Sequence, residues 1–498
     1  MIRRITLSLA AVLAIGACSD KDSSPTDPSE VSAVAMSNAS PSYVVAFSSK
    51  ETADVKAAIE RAGGKAVYLS KRAGLGTAES ADPAFAEKLK TERGIRAVAM
   101  DTVVQWIDPN ERVTEGGSVT GQAPRVRETT HGSNETFFNA QWAPPSIRAD
   151  DALDAGATGA GARVAVLDGG LNHTHIDLDN AITVDEANSR SFVPTFQYNQ
   201  DAPCGAAACF SHATHVAGII AAEDDGVGTI GIAPGATIVG VKVLHGGSGS
   251  FGAIISAIVY AASPDNTPEE DGGGAGVHVI NMSLGAQFPS GRDSKVRALK
   301  ELMDEATTFA HEQGVLVIAS TGNGDRQGRG IDHDLGQWFT LPAQADHVVG
   351  VSALGPVGFA LNPPIPTSDD FHRLASYSNF GRNIVDLSGP GGDFVLPGDA
   401  VCSLPRVPTG LITSFCWVFD MVLSPASLGS NTGYSWAAGT SMSAPAVAAV
   451  AALVIGTKNI TDADDVLEVL IDTADDLGAP GFDPAHGNGR VNAFAATQ

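Results

Sequence analysis

Between residues 163 and 456, short unbroken apolar runs alternate with longer stretches of helical spacing. Few folds fit this besides a parallel sheet covered by helices. A strand buried on both faces reads as continuous apolar residues, and parallel neighbours need a long crossover between them. Strands are expected at Arg163–Asp168, Thr237–Leu244, Val277–Ser283, Val315–Ala319, His347–Ser352 and Ile384–Leu387, and helices at 212–222, 252–262, 294–313 and 441–456. The stretches 263–276, 355–371 and 392–432 read as surface insertions, the first an acidic, Gly-rich mobile loop. With 498 residues, 43% of them hydrophobic, the chain can form more than one domain around a large core.

Three motifs carry reactive groups. Gly439-Thr440-Ser441-Met442-Ser443-Ala444-Pro445 sets one hydroxyl among small residues at the mouth of an apolar helix. A helix N-terminus offers free N–H groups and partial positive charge, which suit a developing oxyanion. Ser211-His212-Ala213-Thr214-His215 opens a second apolar helix, with Ser211 placed to cap it. Val164-Ala165-Val166-Leu167-Asp168-Gly169-Gly170 is a buried strand ending in a carboxylate, at the sheet edge where ligands bind. Each motif alone has a plainer reading: a turn, a packed histidine, an Asp that starts a turn. Together they supply carboxylate, imidazole and hydroxyl in the chain order Asp, His, Ser.

From Gln141 to Ala495 the chain resembles the subtilisin-like serine proteases. The matches are V-A-V-L-D at 164–168, H-x-T-H-V-A-G at 212–218, G-I-A-P at 231–234 and V-K-V-L at 241–244. They continue with I-N-M-S-L-G at 280–285, A-S-T-G-N at 319–323, S-Y-S-N-F-G at 376–381 and G-T-S-M-S-A-P at 439–445. The resemblance implies an α/β fold: a subtilisin-like catalytic domain with a central parallel sheet flanked by helices, preceded by a small α+β ferredoxin-like pro-domain. It implies an exported serine endopeptidase made as a zymogen. Ser441 would be the nucleophile, His212 the general base and then acid, and Asp168 the group that orients the imidazole. Asn323 would complete the oxyanion hole. Ser283, Leu284 and Gly285 would pair with an extended substrate, and Ala319, Ser320, Thr321 and Gly322 would wall the primary pocket. These walls are small and apolar, so large apolar residues are expected there over Lys or Arg.

The resemblance also implies a structural calcium held by Gln141, Asp177 and Asp225, the last in the Glu223–Thr229 loop; an acidic surface turn is the plainer reading. No dinucleotide or phosphate loop is apparent, so no organic cofactor is expected. Three positions depart from the family pattern. Gly169 stands where Thr or Ser usually follows the catalytic Asp, losing a hydroxyl that orients the carboxylate. Ala213 replaces a Gly, and Ile176 a Pro. His173 and His175 read as turn residues, and His215 as packed within its helix.

Arg3 and Arg4 followed by the apolar Ile5 to Ala17 form an export signal over 1–17, too short to be a resident membrane span. Its end, Ile15-Gly16-Ala17-Cys18, resembles a bacterial lipoprotein signal with lipid on Cys18, which implies a cell-envelope lipoprotein or a secreted enzyme. Residues 18–42 read as a flexible tether, 43–107 as the inhibitory pro-domain, 108–140 as a polar linker holding the maturation bond, and 141–498 as the peptidase domain. The pro-domain is expected to chaperone folding and fill the cleft; lipid on Cys18 would hold the membrane only until maturation. Export permits disulfides, and local pairing is the simplest choice: Cys204 with Cys209, and Cys402 with Cys416. A net charge of −25 argues against nucleic-acid partners and leaves protein or peptide substrates. The alternative function is a catalytically silent surface lipoprotein or adhesin on the same fold.

Overall fold

The computed structural model describes residues 40–48, 52–108, 111–119, 130–180, 182–202, 210–291, 293–361, 373–427 and 429–498. The expected export signal and the lipidation at Cys18 lie outside the described residues.

The parallel sheet forms with seven strands, in the spatial order Leu387–Pro390, Val348–Leu354, Leu316–Ser320, Val279–Met282, Arg163–Asp168, Thr237–Lys242 and Arg190–Ser191. Every neighbouring pair in it is parallel. The run expected at 384–387 starts later than read. Ile384 and Val385 donate their N–H groups to the Gly381 carbonyl and form a turn instead. Alternation across the sheet divides the core. Val164 and Val166 face one layer, and Ala165 and Leu167 pack with the helices Phe251–Ala262 and Ser294–Glu312 on the other. The helix Thr440–Lys458 is buried around its circumference from Thr440 to Ile455. It is long and apolar enough to cross a membrane, yet 89% of its most apolar window lies inside the molecule, where an all-round apolar helix belongs.

Residues 42–100 form a β-α-β-β-α-β unit: Ser42–Phe47, Thr52–Arg61, Lys65–Ser70, Leu75–Glu79, Phe85–Lys90 and Ile95–Met100. Its antiparallel sheet runs 65–70, 75–79, 42–47, 95–100. The 75–79 strand gave no sequence signal, because Leu75-Gly76-Thr77-Ala78-Glu79 is short and interrupted by Gly76. That glycine is required, since a Cβ there would lie 2.4 Å from the Tyr68 carbonyl oxygen. Tyr43, Val45 and Phe47 pack against the unit's own helices, while Val44 and Ala46 join the core around Phe251 and Ile254. The unit thus docks by its open sheet face. An ion pair between Arg96 and Glu305 (2.6 Å) and an Asp101 carboxylate accepting the Gly252 N–H (3.0 Å) fasten it.

The apolar run from Ile95 to Ile107 holds two strands, Ile95–Met100 and Val103–Gln105. Val103–Gln105 leaves the first sheet and pairs antiparallel with Ser248–Ser250. The polar 108–140 stretch also holds order not expected from sequence. Arg112–Ser118 is a strand antiparallel to Gly433–Ala438, which pairs in turn with Val422–Pro425. The acidic 263–276 loop is pinned, with Asp271 buried and paired to Lys71 at 2.5 Å.

One of the two expected disulfides falls on described residues. Within the 392–432 insertion, Cys402 and Cys416 form theirs at the open end of the hairpin Val401–Pro405/Leu411–Phe415. It is the single disulfide among the described residues. The other expected pair, Cys204 with Cys209, lies outside the described residues.

Candidate active site

Asp168 ends its strand, and the N–H groups of Val243 and Leu244 close onto its carbonyl (2.8 and 3.1 Å). The Gly169 N–H donates to its carboxylate Oδ1 at 2.6 Å. The following turn is stitched to the start of the helix His212–Ala221. Ser211 Oγ donates to the Gly170 carbonyl (2.8 Å), and the Asn172 N–H donates to Thr214 Oγ1 (2.9 Å). Ser211 is the helix cap, accepting from the Thr214 N–H. These bonds fix His212 with Nδ1 2.8 Å from Asp168 Oδ2.

Ser441 is the second residue of its helix. Pro445 has no N–H to give, so the Ser441 carbonyl lacks its helical partner four residues on. Ser283 Oγ supplies the missing bond at 2.7 Å and is held by Asn281 Nδ2 at 2.9 Å. Asn323 Oδ1 accepts the Thr440 N–H and hydroxyl, both at 2.8 Å. That sets the Asn323 amide nitrogen beside Gly439, where an added Cβ would lie 3.2 Å from it. Gly439 leaves this space open.

A residue absent from the sequence expectations completes the cluster. The Ser441 hydroxyl donates to Glu111 Oε2 at 3.1 Å, and Glu111 Oε1 stands 3.5 Å from His212 Nε2. The Glu111 side chain is only 4% exposed. His212 and Ser441 therefore both face this carboxylate, and His212 Nε2 has no hydrogen-bond partner. Burial pulls the imidazole down, but the carboxylates of Asp168 and Glu111 outweigh it and hold His212 well above its usual range.

On either side of Glu111 the chain is paired to the rest of the molecule, 103–105 with 248–250 and 112–118 with 433–438. Trp106 lies between two backbone edges: its N–H donates to the Gly247 carbonyl, and its own carbonyl accepts the Gly285 N–H (both 2.9 Å). Its fully buried indole donates to the Gly249 carbonyl at 2.9 Å. Gly285, read from sequence as a substrate edge, thus binds the chain itself. Ala319, Ser320 and Thr321 are buried in and beside the 316–320 strand, with Gly322 following. Past Glu111 the chain continues as the 112–118 strand, paired with 433–438, the strand that leads into Ser441.

The three residues expected to hold calcium are each engaged by donors of the protein itself. Asp177 already accepts from Tyr434 O–H (2.5 Å) and from the Thr229 O–H and N–H (2.9 and 3.0 Å). Gln141 is closed onto the Ile230 backbone at both ends of its amide. Asp225 accepts the Val227 N–H at 3.0 Å. No group of three or more Asp, Glu, His or Cys side chains among the described residues is placed to hold a metal. Instead the cluster contains buried Glu135, whose Oε2 is unpaired. Burial, then neighbouring carboxylates, push Glu135 up to about 9; burial pushes Asp177 up to about 8. His175 and His215 are buried donors to backbone carbonyls, as turn and packing residues should be.

The family model of the subtilases (the Peptidase_S8 family) matches residues 159–489. This chain belongs to that family. It is 30% identical over 355 residues to subtilisin DY of Bacillus licheniformis, covering 71% of this chain and 97% of that one. It is also 30% identical over 358 residues to subtilisin Savinase of Lederbergia lenta, covering 72% and 98%. Among solved structures, a protease from Pseudoalteromonas arctica superposes with TM-score 0.53 at 27% identity, over 73% of this chain and 98% of the other. Fervidolysin from Fervidobacterium pennivorans, a keratinolytic enzyme, has the same fold: TM-score 0.60 at 23% identity, over 92% of this chain and 61% of fervidolysin. The subtilase is thus a serine-type endopeptidase with a subtilisin-like fold.

Proposed function

We propose that this subtilase is an exported precursor, that Asp168, His212 and Ser441 are its catalytic triad, and that residues 42–118 hold it latent until they are cut. The observation that carries the reading is the Asp168–His212 bond of 2.8 Å, with the imidazole and the Ser441 hydroxyl converging on one carboxylate. A substrate carbonyl would take that carboxylate's place. Ser441 Oγ attacks it as His212 Nε2 takes the proton; the oxyanion faces Asn323 Nδ2 and the Ser441 N–H. His212 then protonates the leaving amine, and water releases the acyl group by the same steps in reverse. Asp168 fixes the tautomer and stabilises the imidazolium.

The β-α-β-β-α-β unit is the chaperone and inhibitor in this reading, and 103–118 is its tail, lying in the cleft as a substrate would. The self-cleaved bond falls within residues 108–112, next to the Glu111 carboxylate that Ser441 bonds. Any lipid on Cys18 would leave with the N-terminal piece, freeing the enzyme. The substrates are extended, unfolded polypeptides that add a strand to the backbone edges now holding Trp106.

Three outcomes follow. Neither Ser283–Gly285 nor Ala319–Gly322 offers a carboxylate, and a buried cation without one is costly. A peptide with Phe before the scissile bond should be cut at least about tenfold faster than its Arg counterpart; an Arg preference would refute the apolar reading. With Asp177 and Gln141 committed to protein donors, a chelator should leave the melting temperature unchanged. Raised carboxylate pKa values act differently: between about pH 4 and 9 the folded state holds more protons than the unfolded one, so stability should fall as pH rises. A drop of several degrees on chelation would restore calcium at this loop.

A further inference from the structure

Gly169 occupies the position where the family carries a hydroxyl, and its space is not empty. A Cβ built on Gly169 would lie 2.2 Å from Asp201 Oδ2. Asp201 is fixed there, accepting the N–H groups of Gly170 (2.8 Å), Ala202 (2.8 Å) and Gly246 (2.9 Å). Its Oδ1 lies 3.7 Å from Nζ of Lys242, a lysine with no exposed surface. Lys242 pairs in register with Asp168 across neighbouring strands and donates its ammonium to the Leu244 carbonyl. The Leu244 N–H in turn holds the Asp168 carbonyl.

These contacts close a ring: Asp168, Gly169, Gly170, Asp201, Lys242, Leu244 and back to Asp168. We infer that Asp201 is a positioning residue for the catalytic carboxylate, standing in for the hydroxyl that Gly169 lacks. Its role rests on the triad reading above. A buried ammonium needs a compensating anion close by, and Asp201 provides it. In return the Lys242–Asp201 pair braces both chain segments that carry Asp168: the Gly169-Gly170 turn and the Val243-Leu244 backbone. Small errors in such bracing cost rate rather than binding, because they misalign the imidazole when Ser441 attacks. Asp201 touches no substrate in this arrangement, so its loss should leave substrate affinity intact.

The prediction is a change of sign between two backgrounds. Asp201→Ala, Asp201→Asn, Gly169→Ser and the double variant Gly169→Ser/Asp201→Ala are expressed as full chains. Each is assayed for peptide hydrolysis, normalised to sites titrated by a serine-reactive phosphonate, with melting temperature measured alongside. Asp201→Ala and Asp201→Asn should each lose about tenfold in kcat with KM within twofold. Gly169→Ser alone should also lose activity, because its Cβ meets Asp201. In the Asp201→Ala background the same serine should raise kcat several-fold, supplying the family's hydroxyl in the vacated space. Unchanged kcat in both Asp201 variants, or a serine that harms both backgrounds equally, would overturn the positioning role. Should Asp201→Ala not fold, Asp201→Asn decides the kcat effect alone. An inert wild-type enzyme that binds no phosphonate would overturn the triad reading, and this role with it.

Discussion

Replacing Ser441 with Ala should abolish hydrolysis of unfolded protein and leave the full-length chain uncut. The expected loss in kcat is about 10⁶-fold, since a triad acts as a unit and the rest of the site retains only the help of the oxyanion hole and binding. The change removes one oxygen at a buried position. Thr440, Asn323 and Ser283 keep the helix start in place through bonds that do not involve the Ser441 hydroxyl. Melting temperature should therefore stay close to wild type, separating chemistry from folding. N-terminal sequencing of the wild-type product adds a second check. A new N-terminus between residues 109 and 112 agrees with a cut beside Ser441; one before 108 or far along the 120–140 stretch would place the cut elsewhere. Self-processing by the Ser441→Ala chain in a protease-free host would end the nucleophile assignment.

The parts of the site that were legible in the sequence share a property. Asp168, His212 and Ser441 sit at the ends of regular elements, so local pattern gave both the residue and its surroundings. The apolar strand, the cap at Ser211 and the small residues before the 440–458 helix each announced a position at the sheet edge. Glu111 announced nothing. It lies in a polar stretch with no periodicity, and its partner Ser441 is 330 residues away. Only the docking of the β-α-β-β-α-β unit fixes where that stretch must run. Asp201 was hidden for the same reason: Gly169 read as a missing hydroxyl, while the group filling its space comes from a distant loop. The calcium residues show the converse. Their identities match the pattern, but ligation depends on which donors reach them: Thr229 of the same loop and Tyr434 from outside it both donate to Asp177.

Glu111→Gln should shorten the life of the intact chain. The wild-type carboxylate takes the Ser441 hydroxyl's hydrogen bond and, with Asp168, keeps the imidazole protonated, so the base that must accept the serine proton already holds one. Glutamine keeps the shape but removes the charge. Self-processing, followed as loss of full-length chain, should be at least about tenfold faster than wild type at pH 6. The sign with pH is fixed by His212. Its value in the latched chain lies above the ordinary 6.5, so the latch is at full strength below that ordinary value. It weakens as pH rises through the elevated one. The wild-type rate should climb on the alkaline side until it meets that of Glu111→Gln, whose imidazole loses its proton earlier. Trp106→Ala separates this from simple occupancy of the cleft. It loosens the tail without touching the charge, so it should speed processing without flattening the pH dependence. Equal rates for wild type and Glu111→Gln across the range would mean that the tail blocks the cleft by bulk alone and that the carboxylate at the triad is incidental.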